Sequence, residues 1–222
     1  MFLWRSICIP ERTGMRQNKD VRRTMKKIGI TGGVGSGKSL VLAFLGETYH
    51  AAVYQADLIA HQLQRPGESC YDKIRAYFGE EILASDGTID RGRLGKIVFG
   101  DPEKLDALNK MVHPSVNEWI QRRIEEEEEK GTKLFVLEAA LLTEPVYRNM
   151  LDEIWYIHVD SERRRTRLAF SRGYSDEKTD LIMAAQPAET EFIKFCDRII
   201  ENGGEFEETK KQLAAALDEI KE

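Results

Sequence analysis

The chain has 222 residues and a formal net charge of −5 at pH 7, with 33 Lys and Arg against 38 Asp and Glu. That length suits one large domain or a core carrying a small insert, and the mildly acidic balance argues against a dedicated nucleic-acid binder, which shows a basic excess. No apolar run approaches the ~20 residues that span a bilayer, so neither nucleic acid nor membrane is an expected partner. The three cysteines, Cys8, Cys70 and Cys196, are far apart and odd in number. They form neither a disulfide framework nor a metal-type pair, and a cytoplasmic, reducing setting is expected.

Residues 1–24 differ in character from the rest of the chain: an apolar patch broken by Arg5, then Arg12, Arg16, Lys19, Arg22 and Arg23. The expectation is a disordered or non-native extension, with Met25 as the working start. Lys26-Lys27-Ile28-Gly29-Ile30-Thr31 reads as a buried strand. It runs into Gly32-Gly33-Val34-Gly35-Ser36-Gly37-Lys38-Ser39, which fits the pattern Gly, four residues, Gly-Lys-Ser/Thr. Leu40, Val41, Phe44 and Leu45 continue at helical spacing, so the glycines stand at a strand-to-helix junction, the setting a phosphate loop requires. Glycines let the amides turn inward around an anion, and the helix start adds its dipole and its N–H groups. Lys38 can reach the terminal phosphates and the Ser39 hydroxyl can ligate Mg²⁺.

A second strand is expected over His50–Gln55, followed by a helix from Leu58. Asp57 between them is either a helix N-cap or a carboxylate at the strand ends, where open α/β sheets bind ligands. Residues 66–113 break the βα rhythm with turns at Pro66-Gly67 and Ser85-Asp86-Gly87 and several short helical stretches; His113-Pro114 is expected to close this insert, because a residue before proline is held extended. Ser115–Lys130 reads as the next helix, with Val116, Trp119, Ile120 and Ile124 as its buried stripe. Its acidic run Glu125–Glu129 reads as a solvated face.

Leu134-Phe135-Val136-Leu137 is a continuous apolar run of the kind found in central parallel strands. Glu138 at its carboxyl end needs a cation, water or donor nearby, and in phosphate-loop enzymes an acid here holds Mg²⁺ or its waters. After a strand at Glu153–Val159, a basic helix carries Arg163, Arg164, Arg165 and Arg167, with Arg172 following. Arginines suit polyphosphate through their planar fork of donors, and Arg167 and Arg172 are the expected pair. Phe192–Ile200 is read as a last strand, and residues 205–221 as a terminal helix. Strands alternating with helices around the glycine loop give a parallel α/β fold.

Beyond the loop, the chain carries in order Gln55-Ala56-Asp57, Pro66-Gly67, Phe78-Gly79, Asp86-Gly87, Asp90-Arg91, His113-Pro114, Glu138-Ala139-Ala140-Leu141-Leu142-Thr143-Glu144, Arg167-Leu168, Ala185-Gln186 and Asp197-Arg198-Ile199-Ile200-Glu201-Asn202-Gly203-Gly204. Over residues 26–204 this ordered set resembles the dephospho-coenzyme A kinase family. The resemblance implies a three-layer, parallel-sheet P-loop kinase core that binds the nucleotide (25–55, 131–171 and 196–222), a helical CoA-binding insert (56–130) and a helical lid (172–195). It implies transfer of the γ-phosphoryl of ATP to the ribose 3′-hydroxyl of dephospho-CoA, by a monomer or weak homo-oligomer.

By the same resemblance Asp57 takes the general-base position, Glu138 and Glu144 match crevice carboxylates, and Arg167 matches a lid arginine. Residues expected to hold ATP are Gly33, Val34, Gly35, Ser36, Gly37, Lys38, Ser39 and Leu40, with Arg172 and Asn202; Ser39 and Glu138 are expected to hold Mg²⁺. Several positions depart from the family pattern: Gln55 replaces an Asp, Leu40 a Thr, Ala140 a Pro and Thr143 a Phe. Ser171 stands where a second lid arginine is usual, and Arg172 is read as its substitute. Two rival readings are another small-molecule kinase acting on nucleosides or nucleotides, and a nucleotide switch. Against the switch, Asn109-Lys110-Met111-Val112 lacks the Asp of a guanine-reading motif.

Overall fold

The computed structural model describes residues 25–142 and 145–219. The expectations for residues 1–24, Thr143 and Glu144 fall outside that range. The chain divides into two compact units, one made of the sequence up to Tyr54 and from Glu127 onward, the other of Gln55–Glu126.

The first unit is built on a sheet whose strands are Lys26–Thr31 (β1), Ala52–Gln55 (β2), Leu134–Glu138 (β3), Glu153–His158 (β4) and Arg198–Glu201 (β5). Their order is β2-β3-β1-β4-β5, and the β1/β3, β1/β4 and β4/β5 pairs are parallel. Parallel strands need crossovers, so helices cover both faces of such a sheet. On one face Ile28, Ile30, Val136, Trp155 and Ile157 pack with Val41, Leu42 and Leu45 of Lys38–Tyr49 (α1), and with Leu213 and Leu217 of the C-terminal helix Phe206–Glu219. On the other, Tyr156 stacks on Phe192 at 5.0 Å between ring centroids. These are the three expected layers.

In the second unit Ala56–Leu63 (α2), Tyr71–Phe78 (α3), a 3₁₀ turn at Glu80–Ile82 and Arg91–Phe99 (α4) precede the long helix Pro102–Glu129 (α5). The side chain of Asp90 caps α4, accepting from the Gly92 and Arg93 amides at 2.8 and 3.0 Å. Asp101 does the same for α5 through Glu103 and Lys104. No described helix is long and apolar enough to cross a membrane.

Four expectations are corrected. His113-Pro114 does not end a helix: α5 runs through it for 28 residues. Proline removes one in-helix hydrogen bond and crowds the preceding turn. Here Pro114 is on the exposed side, while Leu108, Val112, Val116 and Ile120 before and after it are buried, so the apolar stripe holds the helix together. The second strand begins at Ala52, because His50 has a left-handed backbone (φ 53°) that closes α1. Glu189–Phe195 is a helix, not a strand; only Phe192 is buried there, whereas Ile193 and Phe195 are exposed. Finally, the acidic run is not wholly solvated. Glu127 is buried and accepts from the Tyr54 hydroxyl (3.0 Å), the Lys130 ammonium (2.7 Å) and the Thr132 hydroxyl (2.6 Å). Lys130 first, then Thr132, hold its carboxyl below the usual range.

Gly29 in β1 faces the apolar layer opposite α1. A Cβ there would lie 2.7 Å from Leu142 Cδ1 and 2.8 Å from Leu151 Cδ1, both side chains being buried. Gly29→Ala is expected to destabilise the fold by about 1–3 kcal/mol through overpacking, read as a lowered urea midpoint at unchanged slope.

Candidate nucleotide-binding site

The glycine loop leaves β1 at Thr31, whose hydroxyl donates to the Ala140 carbonyl at 3.0 Å. That bond fixes the strand end against the segment after β3. Gly35 and Gly37 both take φ 84°, a region closed to most side chains. With these two reversals the chain curls and enters α1 at Gly37. No side chain caps α1, although a helix leaves its first-turn amides without intrahelical partners. Its positive dipole end and these N–H groups together form an anion site.

Lys38 folds back over the loop. Its Nζ donates to the Gly32 carbonyl at 2.8 Å and lies 3.7 Å from Glu138 Oε1 at the carboxyl end of β3. The carboxylate that sequence placed at a strand end in need of a cation therefore has Lys38 beside it. Ser39 and Leu40 stand exposed in the first turn. Ser36 is buried, and its hydroxyl has no partner among the described residues.

The loop is held from the opposite side by Asn202, at the end of β5. Its Nδ2 donates to the Ser36 carbonyl at 2.7 Å, and its Oδ1 accepts from the Thr209 hydroxyl at 2.9 Å. Its own carbonyl accepts from Arg167 Nη2 at 2.7 Å. A Cβ on Gly37 would come within 2.5 Å of Asn202 Nδ2 and 3.4 Å of Arg167 Nη1, so Asn202 and Arg167 both lie against the start of α1.

Arg167 belongs to Ser161–Arg172 (α7), begun by Asp160, whose side chain accepts from the Arg163 amide at 2.9 Å. The structure brings Arg167 to the loop but not Arg172, the expected second arginine. Arg172 is exposed in the last turn of α7 with its guanidinium 5.9 Å from the Tyr174 ring centroid. Arg164 takes the place instead. Its Nε donates to the Val34 carbonyl at 2.9 Å and its Nη2 donates to Gln186 Oε1, while the Val34 amide donates to that same oxygen at 3.2 Å. Sequence reasoning missed Arg164 and Gln186. A signal for the first was present: Leu168 is the one buried residue of α7, and the residue four before it shares its face.

Asp57 lies in the other unit, exposed at the second position of α2. Gln55 is the N-cap and makes no side-chain capping bond, so Asp57 is a first-turn acid, favoured by the helix dipole, and not the N-cap. His61, one turn on, is held below its usual pKa, first by burial and then by Arg91.

Asn202→Ala would strand the Ser36 carbonyl and remove the Thr209 contact. The expected cost is about 1–3 kcal/mol, the desolvation penalty of a buried group left unpaired, measured by chemical denaturation. A companion Thr209→Val, which spares the Ser36 bond, should cost less.

Known proteins resemble this chain over most of its length. The family model described as dephospho-CoA kinase matches residues 26–208. A dephospho-CoA kinase from Carboxydothermus hydrogenoformans is 42% identical over 195 residues, covering 87% of this chain and 94% of the relative. The one from Symbiobacterium thermophilum is 41% identical over 192 residues, covering 86% and 80%. Among solved structures, TT1252 from Thermus thermophilus superposes with a TM-score of 0.73 at 30% identity, covering 88% of this chain and 98% of the other. The chain belongs to the dephospho-CoA kinase family.

Proposed function

We propose that this chain phosphorylates the ribose 3′-hydroxyl of dephospho-CoA with ATP, giving CoA and ADP, the last step of coenzyme A biosynthesis. The observation that carries this is the family match over residues 26–208, far beyond a phosphate loop that many kinases share.

Phosphoryl transfer asks little covalent chemistry of a protein; positioning and neutralisation of charge dominate. The 3′-oxygen bonds to the γ-phosphorus, the bond from that phosphorus to the β–γ bridging oxygen breaks, and ADP leaves. The loop amides from Gly33 to Leu40 and the Lys38 ammonium hold the phosphates. The loop's residues fit such a ligand: an uncapped helix start, the Ser36 hydroxyl, unpartnered among the described residues, and an ammonium now resting on a backbone carbonyl are donors suited to an anion. Binding of a triphosphate would draw Lys38 from Gly32 and leave Glu138 to a new cation.

Ser39 and Glu138, both hard oxygen donors, would hold Mg²⁺, which supplies neutralisation of phosphate charge when bound. Arg167, already against the start of α1, spreads charge on the transferring group. Asp57 accepts the proton of the 3′-hydroxyl. The insert, residues 56–130, takes the acceptor. Residues 172–195 act as a lid that shuts out water and so suppresses ATP hydrolysis. A cytoplasmic enzyme, monomeric or weakly self-associating, completes the reading.

Incubation with Mg-ATP and dephospho-CoA should yield CoA and ADP in equal amounts; phosphorylation of a nucleoside monophosphate in place of dephospho-CoA would overturn the assignment. Asp57→Asn should keep ATP affinity while turnover falls about 10²- to 10⁴-fold, the range for loss of a general base. Wild-type turnover in that variant would remove Asp57 from the role.

A further inference from the structure

Val34 sits at the tip of the phosphate loop with both of its peptide groups engaged by side chains from distant sequence. Its carbonyl accepts from Arg164 Nε on α7, and its amide donates to Gln186 Oε1. Gln186 follows Asp176–Ala184 (α8) and precedes the helix at Glu189–Phe195 (α9). The loop is closed by the Arg164 Nη2 bond to that same Gln186 oxygen. One guanidinium thus reaches two acceptors in two directions, a task for its rigid fork that a lysine ammonium cannot reproduce.

Gly33 fits this arrangement. Its backbone is not in the left-handed region, unlike Gly35 and Gly37, so conformation does not require a glycine there. The Arg164 guanidinium fills the space beside it instead: a Cβ on residue 33 would displace the end of that side chain, whose Nη1 would lie 2.7 Å away. Burial works against the charge of Arg164 and lowers its pKa. Among the described residues no carboxylate lies within ion-pair distance of it, and the acceptors it meets are the Val34 carbonyl and Gln186.

We propose that Arg164 is a positioning residue for the phosphoryl transfer: with Gln186 it clamps both peptide groups of Val34, holding the loop in the form that receives the triphosphate, and Gly33 is a glycine to admit it. The clamp rests on the reading that this loop holds ATP. Because Gln186 comes from the lid segment and Arg164 from α7, the clamp also ties the shape of the loop to the place of the lid. Loss of one charged hydrogen-bonding partner corresponds to about tenfold in affinity.

The test is a double-mutant cycle on the full chain, reading Mg-ATP binding by calorimetry and KM and kcat with dephospho-CoA. Arg164→Ala should raise Kd and KM for ATP about tenfold with a smaller change in kcat. Gly33→Ala should do the same by displacing the guanidinium. In the Arg164→Ala background, where the space is already open, Gly33→Ala should add less than about twofold. Arg164→Lys should not restore affinity. Wild-type ATP affinity in Arg164→Ala would overturn the proposal, and so would two losses that multiply in the double variant. If Arg164→Ala does not fold by thermal melting, Gln186→Leu removes the shared acceptor instead, and wild-type affinity there would overturn it equally. A wild-type chain that binds Mg-ATP but leaves dephospho-CoA unchanged would defeat the functional reading, while the binding arm still judges the clamp.

Discussion

The bond from Asn202 to the Ser36 carbonyl, 2.7 Å long and buried, is the constraint on which the site depends. A loop with four glycines in six residues has little stiffness of its own. Its shape comes from what surrounds it, and Asn202 is the tie that reaches furthest in. That residue joins the loop to the end of β5, to α7 through Arg167, and to the C-terminal helix through Thr209. The parallel sheet makes the tie possible. With β1, β4 and β5 side by side and running the same way, their carboxyl ends lie along one edge, and the segments that continue from them meet over the loop.

Three positive side chains gather at the loop. Lys38, Arg164 and Arg167 all bond to backbone carbonyls or an amide oxygen. Glu138 is the carboxylate among them, 3.7 Å from Lys38, and the ammonium keeps that strand-end acid from being a lone buried charge. Lys38 and Arg167, resting on neutral backbone carbonyls, would lose little if a polyphosphate took over, because a hydrogen bond to a charged oxygen is the stronger one. On the proposed reading the site is organised before its ligand arrives, the condition under which electrostatic stabilisation is most effective.

The other unit carries Asp57 in the first turn of α2, two residues after the N-cap Gln55. That unit is joined to the core by short connections: β2 passes straight into α2, and α5 returns by its final turn, where buried Glu127 gathers Tyr54, Lys130 and Thr132. An acid in the last turn opposes the helix dipole; three donors on one carboxylate outweigh that cost.

The sequence by itself determined the strand–loop–helix unit, the parallel sheet and the break in βα rhythm after Asp57. Each of these is written in local spacing: apolar runs of strand length, helical repeats, and glycines at a fixed offset from Lys38. It also determined the family, because the ordered motifs run through most of the chain. What only the tertiary structure decided depends on neighbours remote in sequence. Pro114 looks like a helix end until a buried stripe on both sides of it carries α5 through. Phe192, Ile193 and Phe195 look like a strand until Tyr156 takes one of them as a stacking partner. Five glutamates look alike until Tyr54 and Thr132 single out Glu127. Among the arginines of α7, periodicity gives the inward face, on which Arg164 and Arg172 both fall. Only the placement of the helix over the loop, with Asp160 at its near end, selects Arg164 and leaves Arg172 about 12 Å further along the axis. Periodicity names a face of an element; packing names what that face meets.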